Sequence, residues 1–152
     1  MSFSEINLNN LNFNPFNMIG DDWYLITAGT KDNYNTMTAS WGFMGVMWGA
    51  PAFVCAIRPN RYTFQFAEQN DTFSVSFFGE KYKSALNFCG TKSGRDYDKA
   101  KETGLTPVSL DGTTTFEEAD LVYICQKQYA DFLEEKNVIN GEIMKFYNPE
   151  TN

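Results

Sequence analysis

Residues Trp23 to Trp41 read WYLITAGTKDNYNTMTASW, and this stretch decides the fold. Trp23 to Thr30 is a β-branched and aromatic run of strand character. Lys31-Asp32-Asn33-Tyr34-Asn35 is a turn cluster. The run from Thr36 to Trp41 alternates, with Thr36, Thr38 and Ser40 on one side and Met37, Ala39 and Trp41 on the other. The pattern predicts a β-hairpin.

Further along, Ala52 to Ile57 is a short apolar run that predicts a strand buried on both faces. No charged residue occurs from Asn33 to Ile57. The first half of that stretch is polar, and Gly42, Gly45, Gly49 and Pro51 interrupt the rest. A membrane span needs about 20 mainly apolar residues. Two strands and a turn, buried against a ligand or a second subunit, are expected instead.

Tyr62 to Gln69 has helical spacing, and Thr72 to Phe78 reads as a strand. Glu80 to Phe88 reads as a helix that ends near Gly90. A second helix is expected over Tyr97 to Thr103, with Gly104 as its C-cap and Pro107 beyond. Phe116 to Ala119 leads into a last strand, Asp120 to Gln126, and the tail from Asp131 lacks a clear pattern. Strands and short helices interleave without β-α-β regularity, and no G-x-G-x-x-G follows a strand. The expected class is α+β, mainly antiparallel and barrel-like, in one domain over residues 1–152.

The chain is acidic, with a formal net charge of −7 and 43% hydrophobic residues. That charge argues against nucleic acid as a partner, because a phosphate backbone demands a broad basic face, and leaves room for a local basic pocket. Histidine is absent. That removes the usual general base and nucleophile activator, and with them the serine- and cysteine-histidine hydrolases. Cys55, Cys89 and Cys125 form no C-x-x-C pair and read as reduced thiols of a cytoplasmic protein. No zinc site is expected. Met1 to Asn14 is asparagine-rich and unlike a signal peptide.

The three arginines sit in two short motifs: Arg58-Pro59-Asn60-Arg61-Tyr62-Thr63, and Arg95 within Cys89-Gly90-Thr91-Lys92-Ser93-Gly94-Arg95-Asp96. A guanidinium is planar, permanently charged and matched to phosphate. The first motif opens a helix, whose N-terminal N–H groups favour an anion. The second offers glycines for close backbone approach, hydroxyls on Thr91 and Ser93, and charge on Lys92 and Arg95. Asp96 could cap the following helix. Cys89, behind an apolar helix and without a histidine, reads as a packed thiol rather than a reactive one. The hydroxyl row of Thr36, Thr38 and Ser40 could bond the polar edge of a flat heterocycle or simply face water. Glu117 and Glu118 form no acid/base pair, and no catalytic side chain is assigned.

Taken in order, Asn14-Pro15-Phe16, Ile19-Gly20, Asp22-Trp23, Leu25 to Gly29, Asn35 to Gly42, Arg58 to Thr63, Cys89-Gly90 with Ser93 to Asp96, and Gly104 to Pro107 resemble the flavin reductase-like, FMN-binding split-barrel family. The resemblance implies a six-stranded split β-barrel with Greek-key connections, a homodimer, and FMN near the subunit interface. It implies that Thr36, Met37, Thr38, Ala39 and Ser40 meet the flavin ring and ribityl chain. Arg58, Asn60, Arg61 and Thr63 would serve the phosphate, while Cys89, Gly90, Lys92 and Ser93 close the pocket. The implied activity is NAD(P)H-dependent flavin reduction, with hydride passing from NADH or NADPH to flavin N5. The alternative is an FMN electron carrier that serves a redox partner protein and has no nicotinamide activity. Family members continue past the position of Tyr147-Asn148-Pro149 into a segment with a histidine and a last strand. The expectation here is either a truncated chain or a barrel in which that strand is replaced or missing, and a missing strand would leave a sheet edge unpaired.

Overall fold

The computed structural model describes residues 2–147. The landmark Asn148-Pro149 lies outside the described residues. Asn14 caps a single helical turn, α1 (Pro15–Asn17), through its side-chain oxygen, with Pro at the first helical position. A π-helical turn, Met18–Asp22, then carries Ile19 into the core.

The predicted hairpin is present as β1 (Tyr24–Thr30) and β2 (Asn33–Ala39), with Leu25 opposite Thr38 and Thr27 opposite Thr36. Gly29, at φ 106°, lets the hairpin close, because a Cβ there would collide with the Asn33 carbonyl. β3 (Gly42–Met47) and β4 (Ala50–Cys55) form a second hairpin. Its loop, Trp48-Gly49, has positive φ at both positions, as a type I′ turn needs. α2 (Tyr62–Gln69) has the predicted bounds, and β5 (Thr72–Phe77) follows. A 3-10 turn, Glu80–Tyr82, precedes α3 (Lys83–Thr91), and α4 (Lys99–Thr103) ends at Gly104 in the left-handed region. Asp98, not Asp96, caps α4 by accepting from the Lys101 N–H.

β6 (Pro107–Leu110) and β7 (Thr113–Phe116) form a hairpin that the sequence reading lacks, and β8 (Leu121–Gln126) completes the strands. One antiparallel sheet runs β2-β1-β5-β8, with β3-β4 and β6-β7 as separate pairs. The described residues carry eight strands, four in the main sheet and two in each of the separate hairpins, in keeping with the six-stranded barrel expected.

The sheet has two different faces. Tyr24, Ile26, Met37, Ala39, Val75 and Phe77 fill the barrel interior, against Met44, Phe53 and Tyr123. Burying such side chains stabilises by roughly 1.5–3 kcal/mol each. Tyr24 reaches across to donate to the Trp41 carbonyl at 2.5 Å. The opposite face packs Leu25 beneath α3 and α4, against Leu86, Cys89, Ala100, Leu105 and Phe116.

Beside that second cluster lies a layer of buried hydroxyls. Thr27 and Thr36 bond each other at 2.8 Å, and Ser76 and Thr115 do the same. Ser74 donates to the Thr114 carbonyl at 2.6 Å, and Thr114 donates to the Gly29 carbonyl at 3.0 Å. These bonds dock β7 across β1 and β5.

One expectation fails at β4. It is not buried on both faces, since the β3–β4 hairpin projects Phe43, Val46, Trp48 and Val54 into solvent. No helix among the described residues is long and apolar enough to cross a membrane.

Candidate functional site

The two arginine motifs, more than twenty-five residues apart in sequence, meet in space. The Arg61 Nη1 donates to the Gly90 carbonyl at 3.0 Å, and the Arg95 Nη1 donates to the Asn60 carbonyl at 3.4 Å. The chain turns at Pro59-Asn60 so that the Arg61 N–H reaches the Arg58 carbonyl at 3.0 Å. Arg61 then stands at the N-cap of α2 with extended backbone, and no side chain caps that helix end. The first N–H groups of α2 therefore belong to the same neighbourhood as the guanidinium groups.

Arg61 has an unmet need. Its Nη2 is buried and has no hydrogen-bond partner among the described residues. A buried, unpaired donor on a charged group costs more than about 1–3 kcal/mol, so an anion there would be stabilising. Burial, reinforced by repulsion from Arg58, lowers the guanidinium pKa, which marks a pocket that already concentrates positive charge. Arg58 stacks over Trp41 at 5.5 Å, and Arg95 over Tyr62 at 4.8 Å. Lys92 lies 5.8 Å from the Tyr97 ring. These aromatic faces hold the cations in place.

The glycines of the second motif serve the protein before any ligand. A Cβ on Gly94 would collide with the Asn35 side chain, and one on Gly90 would press to 3.2 Å from the Thr38 Cβ. Asn35 is held in turn, because its Nδ2 donates to the Thr63 hydroxyl at 2.8 Å. Thr63 is fully buried and ties α2 to β2. The Ser93 hydroxyl accepts from the Arg95 N–H at 3.2 Å, which shapes the loop. Asn60 is exposed beside it.

The hydroxyl row resolves differently from its expected role. Thr36 points into the buried hydroxyl layer, and Thr38 donates to the Leu86 carbonyl of α3. Met37 and Ala39 point into the barrel. Ser40 alone of the row is exposed. What remains is backbone. β2 is an edge strand, and the Thr36 carbonyl faces outward, where it accepts from Lys99. By the alternation of an antiparallel ladder, the N–H and C=O of Thr38 face the same open edge. Cys89 is fully buried, and burial pushes its thiol from 9.0 up to about 11. It is the packed thiol expected, and only its backbone borders the site.

Lys99 is the residue that sequence reasoning missed. It is 6% exposed and donates to the carbonyls of Thr36 at 2.7 Å and Cys89 at 2.8 Å. Glu118 proves structural, as its carboxylate accepts from the Thr106 N–H and hydroxyl. The two surface depressions bounded by Glu5, Leu8 and Pro51 and by Lys31, Tyr34 and Leu105 include no arginine.

The structure is a mainly antiparallel α+β barrel with two arginine-bearing loops stitched together at one sheet edge. The chain belongs to the flavin reductase like domain family, whose model matches residues 18–152. No curated protein matches it. Among solved structures it is similar to the flavoredoxin of Desulfovibrio vulgaris (Miyazaki F), with TM-score 0.64 and 20% identity, over 82% of this chain and 66% of that one. It is also similar to a flavoredoxin from Methanosarcina acetivorans, with TM-score 0.62 and 24% identity, over 83% of this chain and 64% of that one. An FMN-binding protein from Thermus thermophilus, solved with bound p-hydroxybenzaldehyde, gives TM-score 0.67 and 19% identity, over 86% and 73%. The chain therefore spans about two thirds of the length of the two flavoredoxins. The mainly antiparallel α+β architecture matches the split-barrel fold of these relatives.

Proposed function

We propose that residues 1–152 form one FMN-binding domain and that the protein is an NAD(P)H-dependent flavin reductase. The observation that carries this reading is the buried, unpartnered Nη2 of Arg61, set where the two arginine motifs meet. A phosphate monoester supplies the acceptor that this nitrogen lacks. Arg58, Arg61 and Arg95 would hold the phosphate with the N-terminal N–H groups of α2, and Lys92 and Ser93 would close over it. The open edge of β2 at Thr38 and the exposed Ser40 would meet the polar edge of the ring. Bound flavin would supply hydride acceptance at N5. The chain itself contributes position and charge, so the absence of histidine is no obstacle.

Two features support a homodimer that completes the site. The β3–β4 hairpin exposes Phe43 (65%), Val46 (77%) and Trp48 (71%) on one projecting element. Contiguous apolar exposure of this kind suits a protein interface. The hairpin also follows directly from β2, so a second copy seated there would border the ring edge. The three cysteines are free, which fits a reducing cytoplasm.

A second reading is an FMN electron carrier that serves a redox partner protein. It is favoured by the flavoredoxin names of two structural relatives. One experiment separates the two. The purified protein is loaded with FMN under anaerobic conditions, and its visible spectrum is followed. Bleaching by NADH or NADPH is expected for the reductase. Bleaching by dithionite alone selects the carrier, and failure to retain or turn over any FMN overturns both.

A further inference from the structure

The ammonium of Lys99 bridges two parts of the site. It donates to the Thr36 carbonyl on the edge of β2 and to the Cys89 carbonyl in the last turn of α3. The next carbonyl in that turn, Gly90, accepts from Arg61. Two cations from different elements thus hold consecutive carbonyls of one helix C-terminus, where positive charge is favoured. They sit close enough for Arg61 to disfavour the charged form of Lys99.

We propose that Lys99 is a positioning residue whose buried charge sets the phosphate affinity of the arginine loops, so that binding a phosphate dianion draws a proton from solvent onto the neutral amine fraction of this side chain, converting it to the ammonium. This rests on the FMN reading above and deepens it. The groups facing Lys99 are Arg61 from the start of α2 and the Cys89 thiol from α3. Tyr34 on β2 and Asp98 at the cap of α4 lie alongside the same cluster, whereas Lys101 and Glu102 of α4 face solvent. Burial lowers the Lys99 pKa from 10.5 to about 8; Cys89 opposes that shift and Arg61 adds to it.

A dianion beside Arg61 offsets its repulsion and favours the protonated lysine. By linkage, affinity for the dianion is then highest below the pKa of the free protein. It falls as pH rises through that value and levels off above the pKa of the complex. Phosphate monoesters ionise a second time near pH 6, so the ligand itself is already a dianion in this window.

The test is calorimetric titration of the full chain with FMN at about pH 8, in two buffers of different ionisation enthalpy, with riboflavin as the ligand that lacks phosphate. Net proton uptake is expected with FMN and none with riboflavin. FMN affinity should fall roughly tenfold above pH 8 for each unit by which binding raises the lysine pKa. Lys99→Arg keeps the charge and should bind FMN without uptake and without pH dependence in this range. Lys99→Met should weaken FMN far more than riboflavin. Absence of uptake in the unmodified protein, uptake that persists in Lys99→Arg, or equal weakening of both ligands in Lys99→Met would each overturn the proposal. Failure of the unmodified protein to bind FMN even at about pH 7 would instead fell the FMN reading itself.

Discussion

Arg61 and Gly90 are joined by a 3.0 Å hydrogen bond that uses one nitrogen of the guanidinium and leaves the other, buried, without an acceptor. Half of this side chain caps α3. The other half has no partner among the described residues. The two roles are separable by experiment.

Arg61→Ala should lower FMN affinity by roughly 10- to 150-fold, the equivalent of about 1.5–3 kcal/mol for a charge-assisted bond. Riboflavin, which lacks the phosphate, should lose much less. Arg61→Lys, which keeps charge but not the fork, should fall between. Fluorescence titration of both flavins reads the ratio, and equal losses would mean that Arg61 acts through α3 alone.

Gly94→Ala tests the packing of the second arginine loop. Its new methyl would displace the Asn35 side chain and break the 2.8 Å bond to Thr63. A loss of about 1–3 kcal/mol in unfolding free energy is expected, from overpacking and from the orphaned amide. Urea denaturation measures it. An unchanged midpoint would show that the loop shifts freely and that Gly94 is not set by Asn35.

Val46→Glu addresses the exposed hairpin. The side chain is 77% exposed, so the fold should change by no more than about 0.5 kcal/mol. A charge at the centre of an apolar contact should convert a dimer to a monomer in sedimentation velocity. If the mass is the same before and after, β3–β4 is not the subunit contact.

Alkaline pH should destabilise the fold. Burial raises the thiols of Cys89 and Cys125 from 9.0 to about 11. A folded-state pKa raised in this way gives stability that is complete below about pH 9 and lost as pH climbs through 11, roughly 2–3 kcal/mol for each thiol. Tyr34, raised to about 12 chiefly by burial, acts in the same direction. Lys99 opposes them between about 8 and 10.5, because its folded-state pKa is lowered. The net effect is a fall, and Cys125→Ala should remove about 2 kcal/mol of it. An identical pH profile in that variant would disprove the assignment.

Much of this architecture is legible in the chain. The alternation around Met37 and Ala39, and the spacing within Tyr62–Gln69, report local periodicity that burial enforces. The β6–β7 hairpin was legible too. Asp111-Gly112, both at positive φ, is a strong turn signal, but its flanking strands are only four residues each and rich in threonine. Gly104 was read correctly because a left-handed helix end is a local demand. Lys99 could not be read in the same way. Nothing within α4 buries it; the Thr36 and Cys89 carbonyls that receive it come from distant sequence. The fates of Thr36 and Thr38 were hidden for the same reason, since period two gives a face but not its neighbour.

The hydroxyl layer joining β7 to β1 and β5 has a consequence for how the molecule comes apart. Greasy surfaces can slide over one another and keep most of their contact. Directional O–H···O pairs lose everything with a small displacement. The threonine hairpin should therefore leave the sheet all at once or not at all, so that heating passes from intact to molten without a loosened intermediate.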